Sequence, residues 1–345
     1  MKFRRLISFF ALFAASLLLI ASCNQGPRTD SPETPAASEA EAPIVLGYSN
    51  WAGWWPWAIA EAEGLFVANG ANVQLRWFDG YLESLQALAA GQLDANAQTL
   101  NDTIAFTIDS VEPQVVVLVN DNSAGNDKII VSAEIETIQD LAGKKVALEE
   151  GLVDDFLLTL ALEENGMSRE DIEIVNLETG AAAAAFASGQ VEAVGAFPPF
   201  WLTALEREGS KELLSSADYP GAIPDLLVVR QSLIEERPDQ VQALIDTWFD
   251  IREFMAENPE RADEIMAERA NVSVEEFQQF KEGTRFFTIE DNLEAFRDGE
   301  GMQHMPYAAE QMAEFMLDVG LISQEPDLDN LFEDRFVQAY ADRSP

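Results

Sequence analysis

Short apolar runs alternate with stretches of helical periodicity along most of the chain. Residues 44–47 read as a strand and 48–55 as an aromatic loop. A helix then opens after Pro56, whose ring suits a first helical turn, and closes near Gly64. A strand over 73–77, a helix from about 81 to 90 and a strand over 95–98 complete a βαβαβ order, which predicts a parallel sheet. The order recurs as strand 145–148, helix 155–164, strand 172–176, helix 181–187 and strand 193–196. Further apolar strands fall at 115–119 and 129–131 between the halves and at 226–230 after the second, before a helical tail.

The repetition extends to residues: LAAGQLDA at 88–95 matches FASGQVEA at 186–193, and Asn-Gly pairs at 69–70 and 165–166 each end a helix at nearly the same offset. Two α/β lobes of similar topology follow. Residues 44–131 plus 223–345 are expected to form lobe I and 132–222 lobe II, with crossings near 132–143 and 219–225 and a hinged cleft between the lobes.

Composition supports real cores: the chain has 345 residues, 48% of them hydrophobic. One Cys and one His exclude a disulfide framework and a thiolate zinc cluster, and leave few routes to His-based metal or triad chemistry. No cofactor, metal or catalytic residue is expected. The N-terminus sets a compartment, because Lys2, Arg4 and Arg5 precede an apolar run over 6–21 that is too short for a permanent span. Residues 1–22 therefore read as a signal segment. Ile20-Ala21-Ser22-Cys23 resembles a bacterial lipobox, which implies that Cys23 carries lipid and anchors the mature chain outside the cytoplasm. Residues 23–43, rich in Pro, Ser, Ala and Glu, read as a disordered tether. The chain without residues 1–22 keeps 18 basic against 61 acidic side chains, a balance that repels nucleic acid and anionic membrane faces. Most of these carboxylates are a solubility or high-salt surface.

Four landmarks in order, AEAEGLF at 60–66, LAAGQLDA at 88–95, DLAGKKVA at 140–147 and the strand at 225–230, resemble those of type II periplasmic substrate-binding proteins of ABC importers. The similar group takes nitrate, sulfonates and taurine and also contains thiamine-precursor binders. The resemblance covers residue 44 to the end. It implies a two-lobed type II periplasmic-binding-protein fold, each lobe a mainly parallel sheet flanked by helices, with a helical C-terminal tail. It also implies a monomer that closes on a small molecule and passes it to a membrane permease.

Ligands of open parallel sheets sit beyond the carboxyl ends of the strands, which singles out the loops after each strand. The first lobe offers Trp51, Trp54 and Trp55, then Asp79 and Tyr81, then Gln98, Asn101 and Asp102. The second offers Glu149 or Glu150, Asp154 or Asp155, and Phe197. Trp57, one turn into a helix, and Trp77, at a strand end, read as core. Asp79, Asp102 and Asp154 precede or open helices, so a capping role stands beside a ligand role for each. Anion-binding relatives need donors such as Arg, Lys or helix N-termini, whereas these loops carry Asp, Glu and indoles. Buried carboxylates call for a cation, and an indole face favours one. Guanidine is the favoured ligand, ahead of other small amine or amidine cations and urea-like amides. Sulfonate, taurine, nitrate and thiamine-precursor ligands remain as alternatives. From other classes, a thiamine-pyrimidine-synthase-like enzyme would need a Cys-rich motif and an active-site His, where this chain has one Cys and a remote His304. A surface interaction lipoprotein would leave the duplicated lobes unexplained.

Overall fold

The structure, a computed structural model, describes residues 42–343. The signal segment, Cys23 and all but the last two residues of the tether lie outside the described residues. Eleven strands are described: β1 Ile44–Tyr48, β2 Val73–Trp77, β3 Ala95–Thr99, β4 Gln114–Ser123, β5 Lys128–Val131, β6 Lys145–Leu148, β7 Glu173–Asn176, β8 Ala193–Ala196, β9 Lys211–Ser215, β10 Pro224–Arg230 and β11 Thr284–Phe286. They form two sheets, a six-stranded one ordered β11-β4-β10-β3-β1-β2 and a five-stranded one ordered β7-β6-β8-β5-β9. Helices connect successive parallel strands, for example Tyr81–Ala89 between β2 and β3 and Val153–Glu164 between β6 and β7. A further six helices from Gln231–Glu236 to Met305–Asp318, with Arg335–Arg343 at the end, return to the first sheet's side of the molecule.

The duplicated βαβαβ order is present in both sheets as β2-β1-β3 and β7-β6-β8, all parallel. Within this α/β class each sheet is nevertheless mixed. β10 runs antiparallel to both β3 and β4, and β5 antiparallel to both β8 and β9. A strand that enters a sheet from a short crossing, without a helical crossover, has the antiparallel direction open to it. Residues 128–131, expected in lobe I, are β5, whose hydrogen bonds place it in the second sheet. The first crossing is therefore 124–127 and not 132–143, and the second is 216–223. The side chains of Ser123 and Ser216 meet across the two crossings at 2.6 Å.

The strand register determines what lies at the facing ends. Asp225 opens β10 and pairs with Thr99 at the end of β3 and with Asp121 near the end of β4. On the other sheet β6 runs into Glu149, β8 into Phe197, and Asp127 precedes β5, which pairs Lys128 with Ala196. The carboxyl ends of the parallel strands in both sheets thus carry acids.

Candidate functional site

Two lobes meet around a small cavity lined by Trp51, Trp54, Tyr81, Thr99, Asp225 and Ile223 from the first side and by Asp127, Val153 and Phe197 from the crossing and the second. It leaves about 10 Å³ for the centre of a water-sized sphere, about the room one water needs. One wall is aromatic. Trp54 packs on Tyr81 with ring centres 5.3 Å apart, Trp51 tilts against Trp54 at 6.3 Å, and Phe197 meets Tyr81 edge-on at 6.5 Å.

The opposite character comes from carboxylates. Asp102, Asp121, Asp127, Asp154 and Asp225 are buried, and Glu149 is 7% exposed. Burial of the charged form raises all six above the ordinary carboxylate range: Asp102, Asp121 and Glu149 to about 7, Asp127 to about 6. Asp154 and Asp225 are pushed well above that range, first by burial and then by their neighbours' charge. Asp127, Glu149 and Asp102 act on Asp154, and Asp121 and Asp127 act on Asp225. Basic compensation is distant or engaged. Lys128 pairs with Glu212, Arg252 lies over the Phe286 ring, and no Arg, Lys or His lines the cavity.

These acids divide by how well their oxygens are satisfied. Asp102 sits in the first turn of the helix Leu100–Thr107 and is held there: its Oδ2 accepts from Thr99 Oγ1 at 2.8 Å and its Oδ1 from Asn101 Nδ2 at 2.7 Å. The Thr99 backbone N–H in turn donates to the Tyr81 hydroxyl at 3.0 Å, so Asp102 serves to fix Tyr81 and Thr99. Glu149 accepts from Thr179 Oγ1 at 3.1 Å. Asp121 accepts the Trp51 indole N–H at 3.0 Å through Oδ1. Asp127 Oδ2 and Asp154 Oδ1 have no hydrogen-bond partner, and Asp121 Oδ2 and the Asp225 oxygens have none beyond a proton shared between these two carboxyls. Buried acceptors in this state are costly, and uptake of a proton or a ligand's donor relieves them.

Two glycines admit the acids. A Cβ on Gly53 would lie 1.8 Å from Asp121 Oδ2, and one on Gly195 would lie 2.7 Å from Asp154 Cβ. Among the adjacent pairs, Glu149 and Asp154 turn inward. Asp155 accepts from Gly151 N and from Arg169, and Glu150 is an exposed second partner of that arginine.

Of the residues singled out from sequence, Trp51, Trp54, Tyr81 and Phe197 line the cavity. Asp102, Glu149 and Asp154 do not line it but are buried and interact by charge with one another and with Asp127, and Asn101 is bonded to Asp102. Three others stand apart. Trp55 is fully buried between Phe277 and Phe280, because consecutive residues of a helical turn point about 100° apart and Trp54 already takes the cavity side. Asp79 is exposed and accepts the Trp77 indole N–H at 2.9 Å. Gln98 is spent inside the first lobe on Asn96, Thr103 and Gln114. Trp57 is core, as expected, stacked on Phe66 and against Trp248. Sequence reasoning missed Asp121, Asp127 and Asp225. The available signal was an acid at the edge of each of three apolar strands.

A pair of mixed α/β lobes with strand ends opposed around a small cavity is the architecture of a type II periplasmic binding protein. The chain belongs to the NMT1-like family, whose profile matches residues 37–270. A Brucella abortus protein described as a binding protein is 28% identical over 262 residues, covering 74% of this chain and 81% of its own length. The taurine-binding periplasmic protein of Escherichia coli K12 is 28% identical over 211 residues, 59% of this chain and 64% of that protein. The Escherichia coli periplasmic aliphatic sulphonate binding protein SsuA shares the fold with a TM-score of 0.69 at 19% identity, over 86% of this chain and 93% of that one. Among the described residues no group of three or more His, Cys, Asp or Glu is arranged to hold a metal ion, and no helix is long and apolar enough to cross a membrane.

Proposed function

We propose that the chain is the extracytoplasmic solute-binding component of an ABC importer, anchored through lipid at Cys23, and that it carries a small cation rich in N–H donors, guanidinium foremost, to a membrane permease. The family and its named binding proteins support the importer part. The lipobox residues support the anchor. One observation carries the cation reading: buried acids crowd a cavity with no basic side chain, Asp127 and Asp225 lining it and Asp121 and Asp154 close enough to interact with them by charge. A ligand that presents only N–H donors and a positive charge satisfies that set. Charge-assisted hydrogen bonds of this kind are roughly twice as strong as neutral ones. The indoles and Tyr81 then supply the flat faces on which a planar cation rests.

The named ligands of the relatives give the competing reading, a sulfonate or taurine. A sulfonate needs donors; the Trp51 indole N–H is given to Asp121 and the Trp54 indole N–H is unpartnered, but Asp127 and Asp225 set carboxylates beside it in the same lining. Taurine carries an ammonium that the acids would accept, but its sulfonate would lie among carboxylates. The two crossings between the sheets support a hinge, so that closing on a cation would bring the acids of both lobes to the same charge.

Exposing the mature chain to an equimolar mixture of guanidinium, taurine, methanesulfonate and nitrate, and weighing the complex by native mass spectrometry, tests the reading. Retention of guanidinium is expected. Retention of taurine or an anion instead would replace the cation by the relatives' ligand class.

A further inference from the structure

The wall of the cavity is as informative as its charge. Val153 of the second lobe and Ile223 at the end of the second crossing line it at 4% and 1% exposure, and each neighbours an acid in sequence: Val153 precedes Asp154, and Ile223 comes two before Asp225. The strand and helix starts that aim the carboxylates therefore also set the aliphatic limits of the space. The cavity leaves little more than the room one water needs, so it admits only a small ligand without displacing its wall. A methyl carbon on one guanidinium nitrogen lies about 1.45 Å beyond that nitrogen and so presses on the wall.

Resting on the cation reading, we infer that Val153 and Ile223 are specificity-determining residues that select unsubstituted guanidinium and exclude N-alkylated guanidines. Methylation costs twice here. It replaces an N–H donor, leaving one of the unpartnered carboxylate oxygens unsatisfied, and it forces apolar bulk into a wall whose other members, Phe197, Trp54 and Tyr81, are held by ring packing. The aliphatic residues are the ones whose truncation makes room without removing a ring or an acid. Val153 sits at the start of the helix Val153–Glu164, before its hydrogen-bonded interior, so shortening its side chain leaves the helix intact.

Titration calorimetry with guanidinium and with N-methylguanidine, on the natural chain and on V153A and I223V, tests this through the ratio of the two affinities. The natural chain is expected to favour guanidinium at least tenfold, and either truncation is expected to cut that ratio several-fold. A purely structural role would weaken both ligands alike and leave the ratio unmoved. Equal affinities in the natural chain, or an unchanged ratio in both folded variants, would overturn the inference while leaving the cation reading standing. Failure of guanidinium itself to bind the natural chain would overturn both.

Discussion

Asp225 and Asp79 bring the same carboxylate into opposite surroundings. Asp225 is buried beside Asp121 and Asp127, with no donor but a proton shared with Asp121. Asp79 is exposed, its carboxylate held by an indole two residues away. Removing the charge from Asp225 by D225N should weaken guanidinium by roughly 1.5–3 kcal/mol, a loss of more than tenfold, whereas D79N should stay within about twofold. Calorimetry on the two variants reads the difference directly, and equal effects would remove Asp225 from the site. Only the wrong member of this pair was legible in the sequence. Asp79 follows a strand and opens a helix in plain view, while Asp225 stands at the front of an apolar run, where an acid reads as a turn residue. Its partners, Thr99 and Asp121, are more than 100 residues distant in chain order, and the register that aligns the three is a tertiary fact. Trp51, Trp54, Tyr81 and Phe197 were legible because a loop rich in rings has few other uses for them.

At the level of elements, the parallel strands and their helices follow hydrophobic period closely. β2, β6 and β8 have the predicted ends, and β1 and β3 differ by one residue. What escaped were the elements whose identity depends on a distant partner. β9 and β11 carry charged residues and little alternation, and β5, placed with lobe I from the sequence, is moved to the second sheet by its bonds to β8 and β9. The tight turn over 51–57 shows how an element creates the site: its backbone passes so close to β4 that only glycine at position 53 admits the Asp121 carboxylate. In G53A the new methyl should displace that carboxylate and break its bond to the Trp51 indole. Guanidinium affinity should then fall more than tenfold and the melting temperature by several degrees. Unchanged affinity in calorimetry would show that Asp121 does not help to hold the ligand.

For the whole molecule, charge and binding are linked. The molecule gathers Asp102, Asp121 and Asp225 from one lobe, Glu149 and Asp154 from the other and Asp127 from the crossing, with Arg252 acting on Asp121 and Lys128 on Asp127. Groups whose folded pKa is raised above the unfolded value stabilise the fold fully below that unfolded value, near 4, and lose the contribution as pH rises through the folded value. For these acids the window runs from about pH 4 to about 7 and beyond, so they make the ligand-free chain more stable at pH 5 than at pH 8. A cation has the opposite preference. It binds the ionised acids, displaces their protons and tightens as pH rises. The central claim is a positive ligand held by ionised carboxylates, and titration calorimetry of the mature chain with guanidinium at pH 8 and again at pH 5 tests it most directly. Saturable binding at pH 8 that weakens at least tenfold at pH 5 is the predicted result. Absence of guanidinium binding at pH 8, or an affinity that rises on acidification, would contradict it.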